Sequence, residues 1–185
     1  VFFIHPIVAM LLGWWRNQDQ PTLFRLSILT SVMIGLVLVI PELQATFSSE
    51  FTFGIFCGLA AGFGFALYAI AAQTSLVEFH PLSFSLITFA VLFLLSSVTV
   101  FLFPLTISQD SWSPLLIWSF GSGFITLGGL LFTNLGIGLV GAPTATLIGS
   151  TEPAFTAILA WLILQETLEL RQMVGIAIVT LSIAG

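Results

Sequence analysis

Apolar runs roughly as long as a bilayer is thick follow one another through the chain, and that succession limits the fold more than any motif does. A transmembrane helix takes about 20 mostly apolar residues. Seven segments meet or approach this: Val1–Trp15, about Leu23–Ile40, Phe51 to about Leu76, Leu82–Phe103, about Pro114–Val140, Gly141–Leu164, and about Leu170–Gly185. The connections are short, and prolines mark their edges: Pro21, Pro41, Pro81, Pro104, Pro114 and Pro143. Pro81, Pro114 and Pro143 lie near helix starts, where a missing backbone donor costs nothing. No segment alternates polar and apolar residues as a membrane barrel strand does. The expected fold is therefore an all-α, polytopic transmembrane helix bundle.

Composition agrees. Only 6% of the residues are charged and 58% are hydrophobic, against about 25% charged in a soluble domain, which needs that surface to stay in solution. Three cations and a net charge of −5 argue against nucleic acid as a partner. The single cysteine, Cys57, has no intrachain disulfide partner. The start, V-F-F-I-H-P, lacks the basic region of a signal peptide. Both ends look cut, so the chain is expected to be part of a longer protein. Arg16 and Arg25 flank the first connection and place it on the cytoplasmic side, since Lys and Arg accumulate there. Alternation then puts the 41–50 connection outside, the bend near Gly141 inside, and Q-E-T-L-E-L-R-Q outside.

The sixth segment departs from the others. It carries a carboxylate, Glu152, near its middle, followed by Pro153. A charge at the bilayer centre costs roughly 3 kcal/mol on insertion scales, and Pro153 withdraws a donor from the carbonyl of Gly149. Such irregularity is tolerated where it is packed in protein or lines a wet cavity, so the segment reads as the wall of a transport pathway. Ala145, Gly149, Thr156 and Ala160 share the face of Glu152 at spacings of three and four. They form either a helix-packing face or a cleared floor beside an acid. Glu152 is suited to bind a substrate ammonium or to carry a coupling proton. Ser150 and Thr151 are expected to satisfy backbone groups that Pro153 disturbs.

A shift of 147 positions lays the first segment on the sixth without gaps. His5-Pro6 falls on Glu152-Pro153, Trp14 on Trp161, Gln18 on Gln165, Asp19 on Glu166, and Leu23 on Leu170. The copies lie five helices apart, an odd number, so they are inverted across the membrane, as in secondary transporters with a site between the repeats. His5, whose residue type changes charge near neutral pH, is thus the counterpart of Glu152. Pro6 and Pro153 are expected kinks. Tyr68 and Asn134 are polar groups in apolar helices that either line a cavity or bond between helices. Gly54, Gly58, Gly62 and Gly64 suggest close helix approach in the third segment. His80 and Glu78 read as solvated loop residues, and Trp14, Trp15 and Trp112 as interfacial aromatics. No sequence signature of a nucleophile elbow, zinc protease or phosphate loop is present, and the scattered His and Cys residues make no metal site.

The stretch G-S-T-E-P-A-F-T-A-I-L-A-W-L-I-L-Q-E-T-L-E-L-R-Q-M-V-G resembles the end of an EamA repeat of the drug/metabolite transporter superfamily. Glu152-Pro153, Trp161, Glu166, the Leu170–Gln172 start and Gly175 carry the resemblance, and G-I-F-C-G-L-A-A-G-F-G-F-A-L-Y resembles the opening helix of such a repeat. The resemblance implies a ten-helix protein of two inverted repeats, about seven of whose helices are present here. Residues 1–40 would be the last two helices of a first repeat, 41–50 an outer connecting loop, and 51–185 a second repeat. His5 departs from the glutamate expected at that place in the first repeat, and the scarcity of basic residues disfavours an anionic substrate.

The function expected is alternating-access transport of small organic metabolites such as amino acids, by export or exchange. Expected pathway residues are Glu152, His5, Thr156, Asn134 and Tyr68, with no catalytic residue, no metal and no cofactor. The partners are a small-molecule substrate and the lipid bilayer, with homodimerisation left open. The location is the plasma (inner) membrane. A non-transporting scaffold or receptor-like protein of the same fold is the alternative. A lipid-modifying membrane enzyme is disfavoured, because no acid/base or nucleophile set clusters at one interface.

Overall fold

In the computed structural model, residues 2–15, 22–39, 49–103 and 112–184 are described. Every described apolar segment is helical. A short 3-10 turn, Phe2–Ile4, leads into α1 (His5–Trp15), followed by α2 (Leu23–Val39), α3 (Ser49–Ser75), α4 (Pro81–Leu102) and α5 (Trp112–Val140). The sixth segment is two helices, α6 (Ala142–Gly149) and α7 (Glu152–Leu164), and α8 (Leu170–Ala184) closes the order. By length and composition α3, α4, α5 and the stretch Ala142–Leu164 can each cross a membrane, while α2 and α8 are shorter apolar helices. Arg16, Gln18, Asp19, Pro21, Pro41, Pro104, most of the outer connection 41–50 and the S-Q-D-S part of the fourth connection lie outside the described residues.

Helix boundaries follow local chemistry. Pro81 opens α4 at its first position, and His80 accepts a hydrogen bond through Nδ1 from the Leu82 N–H at 3.3 Å. His80, read from sequence as a plain loop residue, is exposed yet caps this helix end. Gly141 separates α5 from α6 with φ +81°. That left-handed conformation comes without steric cost only to glycine, and its N–H closes α5 on Ile137 O at 2.9 Å. Gln165 ends α7 in the same left-handed region, φ 56° and ψ 30°, although it carries a Cβ.

The chain forms two compact units, residues 1–71 with 142–185, and residues 72–141. In the first, α2 packs on α8, α1 on α6, and α7 on both α2 and α8. Met10, Leu29, Val32, Leu36, Leu147, Ala154 and Val179 form its core. The α2–α8 crossing is unusually close. A Cβ placed on Gly35 would lie 2.6 Å from Val179 Cγ2 and 2.9 Å from Gly175 O. One placed on Gly175 would lie 2.6 Å from Gly35 O and 2.9 Å from both Leu38 Cβ and Val39 Cγ2. Residue 35 meets 175 and 179 while residue 39 meets 172 and 175, so the two helices run antiparallel. In the second unit α4 packs on α5, joined by a hydrogen bond from Asn134 Nδ2 to Ser85 Oγ at 2.9 Å.

The offset of 147 carries helix starts onto helix starts. His5 plus 147 is Glu152, and Leu23 plus 147 is Leu170, the first residues of α1 and α7 and of α2 and α8. The antiparallel α2–α8 pair therefore joins helices whose starts correspond under that offset. Gly13 contacts Pro143, and Gln172 contacts Val39.

Candidate functional site

The site is built around the gap between α6 and α7. Pro153 cannot donate a backbone hydrogen bond, so the helical ladder must fail one turn earlier. The chain meets this with hydroxyls. Ser150 Oγ donates to Thr146 O at 3.0 Å, and Thr151 Oγ1 donates to Ile148 O at 2.7 Å. The Ser150 N–H is shared between Thr146 O and Leu147 O at 3.2 and 3.1 Å, and the Thr151 N–H tightens onto Ile148 O at 3.0 Å. A single apolar span thus becomes an eight-residue and a thirteen-residue helix. Because the Thr151 hydroxyl turns back onto α6, no side chain caps α7. Glu152 occupies the first turn, where a negative charge complements the positive end of a helix dipole.

The two halves keep a common face. Leu147 and Ala154 are buried in the core, and Thr146 and Ser150 are buried with them. At about 100° per residue, Glu152 points about 160° away from Ala154. Glu152, Thr156 and Gly149 are all exposed, and a Cβ on Gly149 would meet nothing within 4 Å. Ala145 and Ala160 are half-buried. The sequence reading placed Glu152 on the wall of a wet transport pathway. In this chain it stands on the open face of the broken span, because the packed face is already occupied by Leu147 and Ala154. Thr156 turns its hydroxyl onto Glu152 O at 2.9 Å.

His5, the counterpart of Glu152, is buried at the first position of α1. Its ring meets Phe65 of α3 edge-on, with centroids 4.9 Å apart and planes at 81°, and lies 6.0 Å from the ring of Phe3. Phe65 in turn lies 6.0 Å from the half-buried Tyr68. The structure thereby gathers His5 and Tyr68 into one aromatic cluster through a residue not singled out in the sequence. Phe65 is one of 19 phenylalanines, and its only signal was the three-residue spacing that puts it on the helix face of Tyr68.

Depth can be compared through α1 and α6. A Cβ on Gly13, in the last turn of α1, would sit 2.9 Å from Pro143 Cγ, in the first turn of α6. Helices touching at those ends overlap along their lengths only if they run antiparallel. His5 lies eight residues back from that contact and Glu152 nine residues on, each roughly 12–14 Å along its axis at about 1.5 Å per residue. His5 is buried and Glu152 is exposed. Asn134 belongs to the other compact unit. It is fully buried and donates to Ser85, whose hydroxyl donates to Pro81 O at 2.8 Å, the interhelical alternative among its two sequence readings.

Comparison with known proteins follows the same lines. Residues 52–185 match the EamA-like transporter family. The whole chain is 36% identical, over 184 residues, to an uncharacterized transporter, sll1319, of Synechocystis sp., and covers 56% of that relative's length. No solved structure matches.

Proposed function

Because the chain belongs to the EamA-like transporter family, we propose that the protein it represents is a secondary carrier moving small organic metabolites, amino acids among them, across the plasma membrane by alternating access. Transport is outward or by exchange, and the chain has no catalytic role. The observation that carries this reading is the break in the span Ala142–Leu164, with Glu152 opening α7 on the side away from the Leu147 and Ala154 core. Discontinuous helices with a polar group at the break are how secondary transporters expose backbone and charge to a solute near the bilayer midplane. Glu152 supplies the charge, for a substrate ammonium or a coupling proton, and Thr156 and Gly149 line the same face. The His5–Phe65–Tyr68 cluster anchors the start of α1 to α3. Asn134 serves helix packing instead of the solute.

The test uses the full-length protein in proteoliposomes loaded with an unlabelled amino-acid mixture and offered labelled amino acids singly. Counterflow of at least one solute above protein-free vesicles supports a carrier. Absence of flux for every solute, with the protein folded and correctly inserted, favours the non-transporting scaffold.

A further inference from the structure

One side chain ties the two copies together. Gln172 is the third residue of α8, and Glu169 stands just before that helix as its cap, its carbonyl accepting the Met173 N–H at 3.1 Å. Gln172 Oε1 accepts the Glu169 N–H at 2.9 Å. This is the reciprocal half of a capping box, in which a Glu or Gln at the third position reaches back to the cap residue. The same amide then does a second thing. Its Nε2 donates at 3.3 Å to the carbonyl of Val39, the last residue of α2. The last four carbonyls of a helix have no partner within it, and in a membrane an unmet carbonyl is costly. Both functions of one amide are therefore used, one on each helix.

The contact sits about one turn beyond the Gly35–Gly175 crossing, where backbone approaches backbone. The crossing fixes how closely α2 and α8 approach. It does not by itself fix how far one slides along the other. A hydrogen bond from α8's first turn to α2's last carbonyl fixes that sliding coordinate. The two helices are equivalent under the 147 offset, so their register is also the register of one copy against the other.

We propose that Gln172 is a positioning residue that locks α2 against α8, so that the pair stays one body while the rest of each copy moves during transport. Its bearing on transport rests on the carrier reading above, whereas the lock itself does not.

Substitution by glutamate separates the two roles of the amide. Gln172→Glu keeps an acceptor for the Glu169 N–H and adds charge of the sign that a helix start favours, but it removes the donor to Val39 and sets a carboxylate against a carbonyl. Gln172→Leu removes both bonds. In the full-length protein, the lock predicts that Gln172→Glu lowers the thermal midpoint by about 2–4 °C, no less than Gln172→Leu. In proteoliposomes it predicts a several-fold lower maximal flux with unchanged half-saturation for Gln172→Glu. A Gln172→Glu midpoint at or above that of the parent, whether or not Gln172→Leu falls below it, would reduce Gln172 to a cap of α8 and overturn the proposal. A parent protein without flux would leave the midpoint comparison to decide the lock and would count against the carrier reading alone.

Discussion

Replacing Gly175 by alanine should part α2 from α8 at their glycine contact. The added methyl would lie 2.6 Å from the Gly35 carbonyl oxygen and 2.9 Å from Leu38 Cβ and Val39 Cγ2. Ordinary contact begins near 3.4 Å, so α2 and α8 must part by about 0.8 Å. Val39 could swing its methyl away, but the Gly35 oxygen is backbone and can yield only if α2 moves as a whole. That movement would loosen the buried Val32, Leu36 and Val179 packed beside it. Overpacking of this kind costs about 1–3 kcal/mol, and the upper half of that range is expected because a backbone atom is the obstacle. The assay is thermal unfolding of the detergent-solubilised full-length protein, with an expected fall of several degrees. Gly54→Ala in α3, where a Cβ would meet nothing within 4 Å, is the control and should not fall. Gly35→Ala and Gly175→Ala meet the same obstacle, so the double variant should cost less than the sum of the singles. Gly175→Ala unfolding at or above the parent temperature would refute the crossing geometry.

Further outcomes follow from other sites. Gln165→Gly should raise the unfolding midpoint by a few degrees, since a non-glycine residue in the left-handed region costs about 1 kcal/mol and Gln165 sits there at φ 56°. A lower midpoint would contradict that conformation. Asn134→Ala removes one interhelical bond to Ser85, a loss of about 0.6 kcal/mol in membrane proteins. Thermal unfolding should show a fall of only a degree or two, with solute flux kept. Loss of flux at unchanged stability would return Asn134 to the transport pathway.

The helical bundle was legible because seven apolar runs and a near absence of charge admit little else. The irregularity at Pro153 was legible as a kink, and the 147 offset matched His5-Pro6 to Glu152-Pro153, but neither was read as a helix start. The sequence reading took Gly141–Leu164 as one kinked span. It did not resolve that α6 ends at Gly149, because the Ser150 and Thr151 hydroxyls can either continue a helix or end it. The direction in which Glu152 points depended on which face the core occupies, and Leu147 and Ala154 decided that only through packing against Met10, Leu29 and Val179. Gly54 and Gly64 of α3 meet nothing, whereas Gly35, which follows Ser31 at the small-xxx-small spacing but was not singled out, makes the tight crossing. Gln172 was recognised only as part of a familiar helix start, since its bond to Val39 spans 133 positions and no local pattern records it.

The central claim is that the open face at the α6–α7 break is part of a solute pathway. Glu152→Gln measures it most directly, compared with Glu166→Gln beyond the end of α7 as a charge-matched control, in full-length protein reconstituted at equal density. The account predicts that Glu152→Gln loses at least ten-fold in solute flux while the Glu166→Gln control transports like the parent, with both variants unfolding at the parent temperature. Equal flux from Glu152→Gln and the parent, across the pH range in which the parent works, would contradict it.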